Sequence, residues 1–526
     1  MRYLAFSRFP LRSGVLIALA IPACTSHPLS APLPEPEQTS IVKININPSR
    51  KLDMIFMVDN SASMGPKQDK LAAQFPRLID ALKDPSANPP LPDMRIAIID
   101  SDLGSGASGR CLPQYGDKGL FQMRDTSCGA NPGARWLEYD STGKGNFAGD
   151  ISTVFGCYAH AVGQVGCGFE NQLQAVNWAL NLQDSTTKKT QAQDFVRPDA
   201  YLAIVLLTDE DDCSLPTNSL LADKDLSSTE SWSLRCSTRA HQCNGQNLIY
   251  PTTASFSADF SACQARTDTC GAAETAQNPT SCSPLVDVKQ MADQIKAVKN
   301  GEDSILVAAI FGWPRKDQTS ATYKIDKTPS PTVGQPDILD YWPVCTDPQF
   351  PFKANGGYDD KAWGMGAEGG LRIKAFLDQF PQDSALPFSI CESDYSAAMK
   401  VIGETISKKL TNLCVPKKLV DTDLNTPGLQ PDCDVRDNVN GKLSDRIPFC
   451  GDVNNAKPCW HIQADELKCP SKTDTAGNKV PSQLILVDRP PGYQMAANQK
   501  LEMDCRTCSE LRTSSFDVYE IDGCKY

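Results

Sequence analysis

One short stretch of the chain carries an acid and two hydroxyls at alternate positions, Asp59, Ser61 and Ser63. On a loop that leaves a strand and enters a helix, three such oxygens can turn toward one point. Oxygen-only ligands suit Mg²⁺, Ca²⁺ or Mn²⁺ rather than a soft metal. The same pattern also occurs as a plain helix cap, so the triplet by itself leaves both interpretations open.

A second acidic group follows another apolar run. Residues 201–207 are continuously apolar, and Thr208, Asp209 and three further acids at 210–212 come next. Because parallel strands end at a common edge of a sheet, we expect Asp209 to lie beside Asp59. The acids at 210–212 allow a second cation site or a solvated acidic loop, and the solvated loop is the favoured interpretation.

These groups need a framework that brings distant loops together. Near-continuous runs of Val, Ile and Leu, without alternation, are typical of parallel strands covered on both faces. Helical patterns lie between the runs, which predicts an α/β fold with a doubly wound, mostly parallel sheet. The predicted strands are 54–58, 95–99, 201–207, 305–311 and 386–390, and the predicted helices are 68–82, 171–182, 286–298 and 395–410.

Together these features resemble the von Willebrand factor A-type (vWA) domain and its metal-ion-dependent adhesion site. The resemblance covers residues 41–414 with inserts, including both strand ends and the closing strand and helix. It implies that Ser61 and Ser63 bind Mg²⁺ or Ca²⁺ through their hydroxyls, and that Asp59 and Asp209 act directly or through water. In that family a partner's carboxylate often fills an open coordination position, so the resemblance implies binding without enzymatic activity.

The chain departs from the family pattern at the second loop, where the family has a Thr just before a helix. Here Glu170 occupies that place, ahead of the helical pattern that begins at 171. As a further metal ligand, Glu170 would neutralise more of the cation's charge and favour retention of Ca²⁺. Alternatively, Glu170 only stabilises the N-terminus of its helix.

Long inserts between the predicted elements hold most of the mid-chain cysteines. They span about residues 101–165, 213–285 and 313–367, and loops of this length need cross-links. Twelve cysteines fall between 111 and 391 and eight from 414 onward, so each set can pair within itself. Residues 415–526 are predicted to form a small cysteine-rich β module, in which Cys505 and Cys508 serve structural disulfides rather than a metal.

The N-terminal segment has the pattern of an export signal. Basic residues precede an apolar run at 15–21, and the run ends just before Cys24. The closing residues resemble the lipobox of bacterial lipoproteins, although Pro22 departs from it, and an ordinary signal peptide is the alternative. We therefore predict a signal peptide at 1–23, a lipidated Cys24, a Pro-rich tether at 24–45 and a vWA domain at 46–414.

Composition excludes several classes of protein. With 526 residues, 40% of them apolar and 22% charged, the chain is neither a disordered tail nor a polytopic membrane protein. A net charge of -12 without basic clusters argues against nucleic-acid binding. The sequence predicts an exported lipoprotein of the outer membrane, periplasm or cell surface that contacts the membrane only through its lipid.

Its expected activity is cation-dependent binding of a protein or surface ligand through the face that carries the metal site. Two alternatives remain open. One is a structural scaffold of an envelope complex, in which the metal only stabilises loops. The less favoured one is a metal-dependent hydrolase, which is motivated only by the acidic cluster at the sheet edge.

Overall fold

The computed structural model describes residues 40–46, 50–83, 91–104, 111–123, 125–198, 200–216, 231–248, 258–271, 281–299, 304–318, 323–328, 337–351, 364–410, 414–415, 419–423, 425–439, 442–464, 472–473, 479–480, 483–490, 493 and 499–507. Its strands, in chain order, are β1 (Ser40–Ile46), β2 (Lys51–Val58), β3 (Asp93–Ile99), β4 (Leu137–Tyr139), β5 (Tyr201–Leu207), β6 (His241–Cys243), β7 (Gln246–Asn247), β8 (Ala258–Phe260), β9 (Cys263–Ala265), β10 (Ile305–Phe311), β11 (Tyr323–Thr328), β12 (Ile338–Tyr341), β13 (Cys345–Thr346), β14 (Gly366–Ala367), β15 (Ala385–Ser389), β16 (Cys414–Val415), β17 (Cys433–Val439), β18 (Lys442–Arg446), β19 (Cys459–Ala464), β20 (Lys472–Thr473), β21 (Lys479–Val480), β22 (Gln483–Asp488) and β23 (Gln499–Thr507). The helices are α1 (Gly65–Leu82), α2 (Ile151–Ala161), α3 (Gln172–Asn181), α4 (Ala192–Phe195), α5 (Trp232–Ala240), α6 (Val288–Ala297), α7 (Leu371–Leu377) and α8 (Ser396–Leu410).

The central sheet has six strands in the order β15-β10-β5-β2-β3-β4. All neighbours are parallel except β4, which pairs antiparallel with β3 at one edge. Chain order reverses between β2 and β5, so the loops that leave these two strands diverge to opposite faces of the sheet. The predicted α/β fold with a mostly parallel sheet is thereby confirmed.

Helices cover both faces of this sheet because successive strand residues point to opposite sides. Met54 and Phe56 of β2 belong to one core with α1, α2 and α8, while Ile55 and Met57 belong to another with α3, α6 and α7. All of the residues in β5 and β10 are buried, as their apolar sequences require. No helix in the described ranges is long and apolar enough to cross a membrane.

One element of the core lies inside a predicted insert. Helix α2 falls within residues 101–165, begins at the N-cap Asp150 and packs against α1. The rings of Phe75 and Phe155 stack across this contact at 3.7 Å between centroids. The sequence prediction placed this segment in a loop because the helix is short and is isolated among turn-forming residues.

The central part of the chain and the C-terminal region are each cross-linked by their own disulfides. The twelve cysteines between 111 and 391 form six bonds among themselves, as predicted. Cys505 bonds to Cys433 in the C-terminal region, which confirms its structural role, while Cys508 lies outside the described residues. So many cross-links are typical of an extracellular or envelope protein.

The C-terminal module also includes the first described strand. β1 pairs with β23 along its whole length, in a sheet ordered β1-β23-β17-β18, and Trp460, Val435 and Met503 belong to the small core beside it. Residues 40–46 are therefore part of this module, whereas the sequence prediction ended the tether at 45. Residues 1–39, with the predicted signal peptide and Cys24, lie outside the described residues.

Candidate cation site

Four chain segments meet at the carboxyl edge of the central sheet, where β2 and β5 end. Each segment is joined to another by backbone hydrogen bonds, so the meeting point is built into the fold. The bonds run from Asp59 N to Leu207 O (2.9 Å), Gly166 N to Asn60 O (2.9 Å), Cys213 N to Glu170 O (2.8 Å) and Glu368 N to Asp209 O (2.8 Å).

Two disulfides hold these segments in place. Cys111–Cys167 anchors the loop that carries Glu170, and Cys213–Cys236 anchors the segment that follows Asp209. Because each bond crosses from the site to an insert, the inserts restrain the loops of the site. The cysteines therefore support the position of the acidic side chains as well as global stability.

Asp59 is fully buried, and both of its carboxylate oxygens accept hydrogen bonds. Oδ1 accepts from the Ser61 amide at 2.8 Å and from the Ser101 hydroxyl at 3.3 Å. Oδ2 accepts from the Thr208 hydroxyl at 2.6 Å. Burial raises the pKa of Asp59 above its ordinary value, and a nearby Asp209 charge acts in the same direction.

The two serine hydroxyls lie side by side at the outer end of this loop. Ser61 Oγ and Ser63 Oγ are 3.3 Å apart, and Ser61 is buried while Ser63 is half-buried. Met64 occupies the N-cap position of α1, and no side chain caps that helix. The helix-cap interpretation of the Asp59, Ser61 and Ser63 triplet is therefore wrong, and the prediction that they ligate a cation stays open.

Glu170 is fully buried beside Asp59. Its carboxyl group hydrogen-bonds to that of Asp59, and its Oε2 accepts from Gln172 Nε2 at 3.0 Å. Its Oε1 accepts no hydrogen bond from an N–H or hydroxyl donor. Burial, followed by the Asp59 charge, holds the pKa of Glu170 well above its usual range. A divalent cation here would offset both causes.

Side chains other than Glu170 accept hydrogen bonds from the backbone amide groups at the start of α3. The Leu173 amide donates to Asp212 Oδ1 at 2.9 Å, and the Gln174 amide donates to Ser214 Oγ at 3.0 Å. These contacts do not support the alternative in which Glu170 serves only to stabilise its helix.

Asp209 lies at the same edge, with 4% of its surface exposed. Its Oδ2 is bonded to the ammonium of Lys67, while its Oδ1 has no hydrogen-bond partner. Lys67 is buried as well and also donates to Gly366 O at 2.8 Å. Lys67 could not be predicted from the sequence, because a lysine near a helix start gives no local sign of burial.

The acids after Asp209 differ from the expected solvated loop. Asp212 is fully buried and ion-paired with Arg372 at 2.9 Å, and Asp211 bonds to His241 Nε2 at 2.6 Å. Asp211 also accepts from the Arg372 amide at 3.0 Å. Asp211 and Asp212 are thus structural groups that join three segments, and the solvated-loop prediction is wrong for both.

The donor set fits a hard divalent cation. Two hydroxyls and three carboxylates supply only oxygen, the atom that Mg²⁺ and Ca²⁺ prefer. A buried polar atom without a partner costs about 1–3 kcal/mol, and the site contains two, Glu170 Oε1 and Asp209 Oδ1. A bound cation would satisfy such oxygens.

The spacing of the acids limits how a cation could be held. Among the described residues, the one group of three His, Cys or carboxylate ligands within 4.8 Å is Cys450, His461 and Asp488. Cys450 is bonded to Cys459, so that group lacks a free thiolate. Since the three acids of the candidate site do not meet that spacing, serine hydroxyls or water would have to complete the coordination shell.

Comparisons with known proteins give little further information. No family model matches the chain, and no curated protein matches it. Similar solved structures include three pilus proteins that are 9–12% identical to this chain. The chain spans 40% of the length of the first, SpaC, and 57% of the length of the second, RrgA. TM-scores this low establish neither a common fold nor a common function. The three are SpaC from Lactobacillus rhamnosus GG in an open conformation (9% identity, 89% of this chain and 40% of that chain, TM-score 0.29), RrgA from Streptococcus pneumoniae (12%, 88% and 57%, 0.19) and the tip pilin GBS104 from Group B Streptococcus agalactiae (11%, 91% and 82%, 0.20).

Proposed function

We propose that this chain is an exported envelope protein that binds a protein or other surface ligand through a divalent cation. The cation is held at the carboxyl edge of a vWA-type domain by Asp59, Ser61, Ser63, Glu170 and Asp209. The observation that carries this proposal is the pair of buried, unpartnered carboxylate oxygens on Glu170 and Asp209, beside the two serine hydroxyls.

The position of these residues in the fold supports a binding role. In open α/β sheets, ligands bind outside the carboxyl ends of the strands, where the chain order reverses. Asp59 follows β2 and Asp209 follows β5, the two strands that flank this reversal. The fold therefore offers its natural ligand crevice at the point where the acids converge.

The partial exposure of Ser63 indicates how a partner would reach the cation. Asp59 and Glu170 lie at the base of the site and are fully buried, whereas Ser63 is half-buried. A ligand would therefore reach a cation held by these residues from the side of Ser63. A carboxylate from a ligand would complete the coordination there, which gives binding without any bond cleavage.

Anchoring to a membrane is the remaining part of the proposal. The disulfides agree with an oxidising compartment. The N-terminal pattern then supports lipidation at Cys24 in the outer membrane or periplasm. Fatty-acid labelling of the wild type and of Cys24→Ala tests this point, and equal labelling of the two would refute it.

Thermal unfolding of the whole exported chain tests the cation. At a hundredfold excess over its dissociation constant, Ca²⁺ or Mg²⁺ should stabilise the fold by about 2.7 kcal/mol. Asp59→Asn should abolish the rise in Tm. Asp53→Asn is the matched control, because Asp53 is a fully buried acid of β2, the strand that Asp59 follows, and pairs instead with Arg197. If the Tm of the wild type does not rise when Ca²⁺ or Mg²⁺ is added, the proposal that the chain binds a cation is refuted.

A scaffold role is the second candidate, and the burial of the acids favours it. Asp59 and Glu170 are fully buried and Asp209 is 4% exposed, as expected of a cation that only stabilises loops. Capture of partners from envelope extracts, with and without chelator, separates the two functions. Chelator-sensitive capture that Asp59→Asn abolishes supports cation-mediated binding, and capture that survives chelation supports the scaffold.

A further inference from the structure

We infer that Lys67 is an internal cation of this site, which competes with the divalent cation for Asp209 and so sets the affinity of the site. The inference rests on the proposed function, because it assigns a role to Lys67 at the same cation site. It adds a residue outside the predicted ligand set and gives that residue the opposite effect on binding.

The surroundings of Lys67 differ from those of an ordinary lysine. Lysine is almost never fully buried unless it is paired. Lys67, in the first turn of α1, is 2% exposed, and its ammonium contacts both Asp209 Oδ2 and the Gly366 carbonyl. It therefore ties the α1 segment to the ends of two other segments of the site.

The two oxygens of Asp209 have different partners, and this difference defines the competition. Oδ2 is bonded to the Lys67 ammonium, whereas Oδ1 is buried and has no hydrogen-bond partner. A cation that binds Oδ1 would share one carboxylate with the ammonium on Oδ2. Repulsion between the two positive charges, inside a poorly hydrated site, weakens the binding of the metal.

Lys67 also has a stabilising effect when no metal is bound. Several acids surround the position of Asp209, and a buried charge that loses its partner destabilises a protein strongly. Two half-buried acids, Glu210 and Glu368, lie close enough to Asp209 for their carboxylates to repel it. The ammonium offsets part of this negative charge, which keeps the metal-free segments assembled and makes the occupancy of the site reversible.

Calorimetric titration of the full chain with Ca²⁺ and with Mg²⁺ tests the inference. Lys67→Met keeps the apolar stem and removes the charge, so the dissociation constant should fall about tenfold. Lys70→Met is the matched control, because Lys70 lies one turn along the same helix but pairs with Asp347 at 2.6 Å. That variant loses the same charge and should bind the metal like the wild type.

Stability measurements separate the two effects of the ammonium. Without metal, Lys67→Met should have a lower Tm than the wild type because it leaves Asp209 unpaired, and added metal should raise its Tm further than that of the wild type. Lys67→Gln, which also removes the charge but retains a hydrogen-bond donor, replaces Lys67→Met if that variant does not fold. Tighter binding by either neutral variant, but not by Lys70→Met, supports the inference.

Contrary outcomes distinguish the inference from the proposed function. If the wild type binds metal and Lys67→Met binds it equally well or more weakly, the role of Lys67 is overturned and the cation site stands. An equal gain in Lys70→Met would also overturn it, because the effect would then be one of general charge. No binding by the wild type or by any variant would refute the cation site itself.

Discussion

The Thr208 hydroxyl donates a 2.6 Å hydrogen bond to Asp59 Oδ2, and this bond joins the ends of β2 and β5 across the reversal of chain order. The same hydroxyl accepts from Gln172 Nε2 at 2.9 Å, which in turn contacts Glu170. Thr208 therefore connects two of the candidate ligands without being one of them. The relationship explains how segments far apart in sequence converge on one point.

Removal of the Thr208 hydroxyl should loosen that connection. Thr208→Val keeps the shape of the side chain but leaves Asp59 and Gln172 each short of a buried partner. We expect a loss of about 1–3 kcal/mol in the free energy of unfolding, measured by urea denaturation. Thr208→Ser is the control, since it keeps the hydroxyl and should lose only about 1 kcal/mol for its missing methyl. Equal losses in the two variants would show that the hydroxyl does not matter.

A buried acid outside the cation site, Asp100, should contribute to the pH dependence of stability. Burial and the Asp117 carboxylate hold the pKa of Asp100 well above its usual range. The folded state therefore retains a proton that the unfolded state releases above about pH 4, so stability falls as pH rises through the raised pKa.

Asp100→Asn removes this titration while keeping an acceptor for the Asp102 amide. Its Tm should exceed that of the wild type at pH 7, and the two should converge toward pH 4. The half-buried Asp140 serves for the control variant Asp140→Asn, which should not show this gain at pH 7. A variant Tm that stays below that of the wild type throughout would contradict the prediction.

The disulfide beside Glu170 should matter for both stability and cation binding. Replacing Cys111 and Cys167 by Ser opens a loop of 56 residues and should cost about 2–4 kcal/mol. It should also weaken cation binding, because the loop before α3 loses its anchor. The control pair, Cys450 and Cys459 in the C-terminal module, should destabilise that module without changing the calorimetric cation affinity. Unaltered affinity in the first variant would show that the loop is positioned without the disulfide.

Breaking the ion pair between Asp212 and Arg372 should strongly destabilise the fold around the site. Both side chains are at most 2% exposed, and removing one partner of a buried pair costs about 3–5 kcal/mol. Arg372→Met should show this loss in urea denaturation. Arg135→Met breaks an exposed pair with Asp194 and should lose about 0–1 kcal/mol. A similar small loss in both variants would contradict the structural role assigned to the acidic run.

Most strands of the central sheet could be predicted because they contain continuous apolar runs in the sequence. Residues 201–207 and 305–311 are continuously apolar, and the structure begins and ends β5 and β10 at those residues. Strand ends in turn predicted that Asp59 and Asp209 would share an edge. Helix α2 and strand β4 were missed because short elements within a polar insert depend on contacts with the core.

The partners of the acids could not be predicted, because they come from distant segments. Arg372 lies 160 positions from Asp212, and Lys67 lies 142 positions from Asp209. Lysine and arginine are usually solvated, so their types alone did not indicate burial. Only the folded chain brings these opposite charges together, and this is why the acidic run was assigned to a solvated loop.

The most direct test of the cation site is the anomalous scattering of Mn²⁺ in crystals of the whole protein. We predict one peak within about 2.5 Å of the hydroxyl oxygens of Ser61 and Ser63, on the side of Asp209, and its disappearance in Asp59→Asn crystals. Well-ordered density for Ser61, Ser63 and Asp209 with no anomalous peak at saturating Mn²⁺ would contradict the account.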